Sequence, residues 1–276
     1  GLGVGLVCLI FDQHVVGFLV TILAILGSVI FGAIWGIIPG YLQAKRGSHI
    51  VITTIMFNFI AAALMVYLLV NVIIEPGQMS PETRDFASGV GLVQIHILAK
   101  YLGLEMAMSP LNLSFIVALT VSVGFWFLVW RTKFGYEVRS LGHSETAAIY
   151  AGIKVSSTII IVMAISGGLA GLVAINELLG VHNKLLLGFT AGYGFTGIAV
   201  ALMGRNHPVG IFLASLLFGA LYQGGTELDF EFSSITREMV LLIQGLIILF
   251  SGALAYMLNP LVERIYIKYY GNYNNA

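Results

Sequence analysis

The chain has 276 residues, 58% of them hydrophobic and 9% charged, with a mean hydropathy of +0.96 and no net charge. A soluble domain carries about a quarter charged residues, so this composition excludes one and gives a polytopic membrane protein without a nucleic-acid-binding surface. The apolar stretches are continuous over near twenty residues, which implies an all-α bundle of transmembrane helices and not the alternating strands of a barrel.

Gly1 to Ile10 is apolar, but ten helical residues cover only about half of a 30 Å hydrocarbon core. With no initiating Met and no basic leader, it reads as the tail of a span whose first half is missing from this sequence. A short polar turn, Phe11 to His14, precedes the first complete span, Val15 to Tyr41. That span carries Ser28, Gly32, Gly36 and Gly40 at four-residue spacing, a small-residue face that another helix backbone can approach closely. Pro39 is expected to kink or end it. The second span is Ile50 to Ile74, with Thr53, Thr54 and Asn58 inside its apolar run. Glu75 to Leu111 reads as a long outer loop plus a surface helix. The third span is Leu113 to Trp130.

The fourth span, Thr158 to Leu179, contains the small-residue run Ser166 to Gly171. The fifth, Leu185 to Met203, begins with Gly188, Gly192, Gly194 and Gly197, which weaken a helix there. Irregular backbone at membrane depth is tolerated only inside protein or beside a water-filled path. After the turn Gly204 to Pro208, the sixth span is Val209 to Tyr222, followed by an acidic loop. The seventh, Met239 to Met257, carries Gln244, and a basic, aromatic tail closes the chain. Seven complete spans plus a partial first one make a single transmembrane domain over residues 1–276.

Alternating these spans puts Lys45, Arg46, Arg131, Lys133, Arg139, Lys154, Arg205, Arg264 and Lys268 on one side and Arg84, Lys100, Lys184 and Arg237 on the other. The richer side is cytoplasmic by the positive-inside rule. The longest non-spanning segment on that side is the loop 131–157. Within it, Ser144 is a good N-cap, Glu145 suits the helix dipole, and Gly152 can take the left-handed conformation that ends a helix. The two-turn helix between them would project Ala147, Ala148, Ile149 and Tyr150. Either a groove on a cytoplasmic partner or the lipid headgroups could hold it.

No enzyme, nucleotide-binding or metal-ligand spacing stands out, and the single Cys8 cannot form an internal disulfide. Ionisable groups within the spans, which would mark coupling to an ion gradient, are nearly absent, with Glu177 the one acid near a span end. Energy for uphill transport must then come from another protein. The uncharged polar groups Thr53, Thr54, Asn58, Ser166, Asn176 and Gln244, with Tyr193 and Phe195, suit a neutral hydrogen-bonding solute. The alternative is that they bond neighbouring helices or their own backbone. The glycine-rich stretch Gly188 to Gly197 is expected beside the second span, bringing Thr54, Asn58 and Phe195 to one cavity.

Three stretches carry a resemblance: KRGSHIVITTIMFNFIA (Lys45 to Ala61), RTKFGYEVRSLGHSETAAIYAGIKV (Arg131 to Val155) and GFTGIAVALMGRNHPVGIFLASLLFGAL (Gly194 to Leu221). In this order they resemble the permease subunit of bacterial ABC importers, in the superfamily serving simple sugars, nucleosides and branched-chain amino acids. The TIMFNF run is similar to the nucleoside and simple-sugar branch. His49, Ile50 and Ser144 depart from the Asn, Glu and Asn usual in relatives. The resemblance implies that Gly142, Glu145, Ala147, Ala148, Gly152 and Ile153, with the N-cap Ser144, form a segment touching a separate ATPase subunit; Thr54, Asn58, Tyr193, Phe195 and Gln244 are expected on the translocation path from their polarity and place in the spans. It also implies a second permease subunit, identical or paralogous, an extracytoplasmic solute-binding protein, no cofactor, and a multi-pass location in the bacterial inner membrane. A self-contained transporter or channel for a small neutral solute is the alternative class.

Overall fold

The structure is a computed structural model and describes residues 1–75, 77–87, 89–101, 111–231, 239–247 and 249–250. The chain divides into two compact units, residues 1–191 and 192–276.

In the first unit, α1 (Leu2–Phe11) is the short helix expected at the start. α2 (Gly17–Arg46) runs through Pro39 and ends seven residues beyond it, where Gly47 takes a left-handed φ of 67°. Pro39 therefore does not end this helix: proline removes one hydrogen bond, and the close packing of α2 described below outweighs that loss. α3 (Ile50–Leu68) continues into a π-helical turn, Leu69–Ile73. A seven-residue helix α4 (Ile95–Tyr101) lies between α3 and α5. α5 (Ser114–Arg131), α6 (Lys133–His143), α7 (Glu145–Tyr150) and α8 (Val155–Gly171) follow, and the chain beyond α8 passes into a π-helix, Ile175–His182.

In the second unit, α9 (Tyr193–Met203) is only 11 residues long. The helix expected from Leu185 is absent as far as Gly192, because Gly188, Ala191 and Gly192 hold φ values of 76°, 41° and 81°. Left-handed backbone cannot continue a right-handed helix. α10 (Pro208–Glu231) continues through the stretch expected to be an acidic loop. There Gln223 donates to Glu227 at 3.0 Å, an i,i+4 pair that supports helix across Gly224 and Gly225. Residues 239–247 and 249–250 are helical, and the rest of the seventh expected span and the tail lie outside the described residues.

Among the described residues, five helical stretches are long and apolar enough to cross a membrane: Gly17–Arg46, Ile50–Ile73, Ser114–Arg131, Val155–His182 and Pro208–Glu231. α3 and α5 contain no buried residue, which is stable only where the surroundings are themselves apolar, as lipid is.

The tightest contact joins α2 and α8 along their length. A methyl group on Gly32 would fall on the carbonyl oxygen of Gly167, and one on Gly167 on that of Gly32. Gly36 stands against the Met163 carbonyl, Gly171 against the Ser28 carbonyl, and a Cβ on Gly40 would lie 2.8 Å from Met163 Cβ. The two small-residue runs therefore pack on each other, backbone against backbone from Ser28 to Gly36 and against a side chain at Gly40. Dispersion contact and desolvated helix surfaces hold such a pair where no hydrophobic effect acts between helices.

Candidate functional site

The helical unit between α5 and α8 is built from local signals. At the end of α5, Arg131 lies over the Trp126 ring at 5.7 Å. Thr132 closes one helix and opens the next: its hydroxyl donates to the Leu128 carbonyl at 2.6 Å and accepts from the Gly135 amide at 3.1 Å. Gly135 is required, since a Cβ there would strike the Leu128 and Val129 carbonyls. α6 is helical where the sequence alone gives a loop. Its signals were the Thr132 cap and the i,i+4 pair Lys133–Glu137, at 4.0 Å.

Ser144 breaks α6 from α7 with an extended backbone and caps α7, accepting from the Ala147 amide at 3.3 Å. Gly152, at φ 78°, ends it. The Gly152 amide donates to the Ile149 carbonyl at 2.9 Å and the Ile153 amide to the Ala148 carbonyl at 3.0 Å, the paired bonds of a Schellman motif. Lys154 then leads directly into α8, and the Ser156 hydroxyl donates to the Ala44 carbonyl of α2 at 3.2 Å.

Exposure sorts this segment differently from the sequence expectation. Ala148 is 1% exposed, so it does not project: α7 turns it inward, toward α6 and α8 on which it packs. Ala147, Ile149 and Tyr150 do face out, with Tyr150 94% exposed. Gly142 and Glu145 are also exposed.

The polar groups of the spans divide. Thr53 and Thr54 donate to the carbonyls of His49 and Ile50 one turn back, at 3.0 and 2.9 Å. Asn176 is structural: its side-chain oxygen accepts from Asn112 at 3.1 Å and from Ser114 at 2.8 Å, pinning the π-helix to the start of α5. Its amide donates to Glu177 at 3.0 Å, and Glu177 lies 3.9 Å from His182, so this acid sits in a polar cluster. Asn58 and Phe195 are exposed, Tyr193 stands at the start of α9, and Gln244 is buried within the second unit. The groups expected around one cavity, Thr54, Asn58 and Phe195, divide between the units: the two on α3 are in the first and Phe195 is in the second.

Beyond these, the first unit contains a network with little sequence signal. Asp12, at the turn after α1, has a fully buried side chain and receives both terminal nitrogens of Arg84, at 2.7 and 2.8 Å, and the Ala87 amide at 3.0 Å. The Arg84 hydrogen bonds hold its carboxyl below the usual carboxylate range, against the opposing effect of burial. The described residues of 82–92 thereby form a strap and not a free loop. Its Thr83 amide donates to the Leu185 carbonyl at 2.9 Å and the Thr83 hydroxyl accepts from the Leu185 amide at 3.0 Å. Glu82 pairs with Lys184 at 3.0 Å. Among the described residues no group of three or more His, Cys, Asp or Glu side chains could hold a metal ion.

Residues 2–252 match the family described as the permease component of the branched-chain amino acid transport system. The chain belongs to this family. As a permease component it is a multi-pass protein of the inner membrane, and ATP hydrolysis lies in a separate subunit. The permease is 35% identical over 246 residues to the guanosine ABC transporter permease protein of Bacillus subtilis, covering 88% of this chain and 68% of that one. A glucose ABC transporter permease protein of Haloferax volcanii is 31% identical over 234 residues, 83% of this chain and 60% of its own. A nucleoside ABC transporter permease protein of Lactococcus lactis is 31% identical over 233 residues, 84% and 63%. The permease chain thus spans about two thirds or less of the length of these relatives. No solved structure matches it.

Proposed function

We propose that this chain forms the translocation path of an ATP-driven importer for a nucleoside or a simple sugar, and that α7 is where the ATPase subunit pushes on it. The relatives named for guanosine, nucleosides and glucose support the solute class. The observation that carries the coupling reading is α7 itself. It is a helix of six residues, fixed at both ends, anchored inward by Ala148 and presenting Ile149 and Tyr150 outward. A helix this short is not stable alone, so its caps and anchor hold a preformed apolar knob for a groove on a soluble partner. Gly142, Ser144, Glu145, Ala147, Gly152 and Ile153 belong to the same surface or its frame. Loop 131–157 lies in the cytoplasm on this reading, seven segments cross the membrane after the short α1, the fifth of them irregular before α9, and a second permease subunit and an extracytoplasmic binding protein complete the importer.

Asn58, Tyr193, Phe195 and Gln244 are the proposed solute contacts, and Asn58 is the one to test first. The test is uptake of labelled guanosine, ribose, glucose and leucine by cells lacking the gene and by cells with it restored. Loss and recovery of nucleoside or sugar uptake, with Asn58→Leu inserted in the membrane but reduced in rate, is the expected result. Loss of leucine uptake alone overturns the solute class, and an unchanged Asn58→Leu rate removes that residue from the path.

A further inference from the structure

The α2–α8 pair is decorated at both ends. At its inner end α7 runs into α8 through four residues, Ala151 to Lys154, tied by the Ile153–Ala148 hydrogen bond, and Ser156 fastens the first turn of α8 to Ala44 of α2. At its outer end the strap is hydrogen-bonded to both helices. The Gly91 amide donates to the Thr21 hydroxyl of α2 at 3.3 Å. The Leu92 amide donates to the Leu179 carbonyl and the Phe86 amide to the Asn183 carbonyl, each at 2.8 Å, in and just after the π-helix that extends α8. Between these ends the two helices are in backbone contact at Gly32, Gly36, Gly167 and Gly171. Closely packed protein is stiff and transmits displacement, because there is no void into which a side chain can yield.

From this we infer that α2 and α8 act as one rigid lever that carries a displacement of α7 to the outer strap, with the glycine contacts as its lock. The inference rests on the reading of α7 as the ATPase contact. Val155–His182 is 28 residues, or about 42 Å at 1.5 Å per residue, long enough to join the two faces of a membrane. A single α8 without α2 would flex over that length. Two helices whose backbones touch at successive turns cannot slide without lifting carbonyls out of contact. The strap is the natural receiver, since it is bonded to the lever at Thr21, Leu179 and Asn183 and to the irregular stretch that follows at Leu185.

The test uses the assembled importer in nanodiscs. Met79, in the outer segment, is fully exposed and the single native Cys8 is buried, so Met79→Cys takes a nitroxide label selectively. Spectra are recorded before and after trapping with ATP and vanadate, and ATPase co-purification is measured beside them. The expected result is a nucleotide-dependent change at position 79 that falls at least threefold in Gly167→Leu while the ATPase still co-purifies. Gly36→Ala, a milder opening of the same contact, should reduce it partially if Gly167→Leu does not assemble. No change at position 79 in the unsubstituted lever, or a full change in both glycine variants, overturns the inference. If instead Tyr150→Asp keeps the ATPase bound and the spectral change intact, the α7 reading fails and the lever is driven from elsewhere.

Discussion

Asp12→Asn removes one charge and keeps the shape of the side chain. The carboxylate of Asp12 accepts both guanidinium nitrogens of Arg84 and the Ala87 amide, and its side chain is fully buried. Breaking one side of a buried pair costs about 3–5 kcal/mol, because the partner is left charged and uncompensated. Arg84 keeps 29% of its side chain in contact with the surroundings, which lowers the cost to about 2–4 kcal/mol. The loss should free the strap from the α1–α2 turn. Cys8 is buried in α1, one turn before its C-cap Asp12, so the rate at which a thiol-reactive fluorophore labels it during heating reports this region directly. Asp12→Asn should expose Cys8 at a lower temperature than the parent. Arg84→Ala should do likewise, and the double variant should lose less than the sum of the two. The pH dependence has a definite sign. The carboxyl is held below its unfolded value, so its contribution is fully present above about pH 4 and is lost as pH falls through the lowered pKa. Between pH 5 and 8 this pair should add no slope. An Asp12→Asn labelling curve that overlays the parent at pH 7 would refute the argument.

Two further outcomes follow from the packing. Ala148→Glu places a carboxylate where α7 buries a methyl group, so the variant should lose α7 itself, read as faster proteolysis within 131–157 in the absence of any partner. Protection equal to the parent would mean that Ala148 is not an anchor. Asn176→Leu strips the acceptor from Asn112 and Ser114 and should cost about 2–4 kcal/mol for the unsatisfied groups left behind. The same Cys8 labelling curve measures this, since Cys8 and the π-helix residues Ile175, Leu178 and Leu179 share one core.

Much of the fold was legible because its determinants are local. Apolar runs placed four of the five long helices within a few residues of their observed bounds, Ser144 and Gly152 marked the ends of α7, and both small-residue runs were readable as packing faces. What could not be read is that those runs face each other, since spacing alone fixes a face and not its partner. The Asp12–Arg84 pair was invisible for the same reason, since its members are 72 positions apart in the chain. Ala148 is a different case. In a Schellman motif the residue after the left-handed glycine commonly touches the residue three from the helix end, which for Gly152 means Ile153 against Ala148. That signal was present and it marks Ala148 as an anchor.

The polar residues of α3 show how far geometry can narrow a path that composition only suggests. Thr53 and Thr54 each satisfy their hydroxyl on the preceding turn, an arrangement that lets either residue face lipid at little cost. Asn58 has an amide that an i−4 carbonyl satisfies less fully, since one oxygen and two N–H groups need partners. It is exposed on a helix with no buried residue. An amide left against hydrocarbon costs several kcal/mol, so at membrane depth Asn58 must face water, a solute or another polar chain. A translocation path supplies the first two and a second permease subunit the third, and a lipid-facing position supplies none of them. Of the polar residues on α3, Asn58 is therefore the one whose exposure itself argues for function.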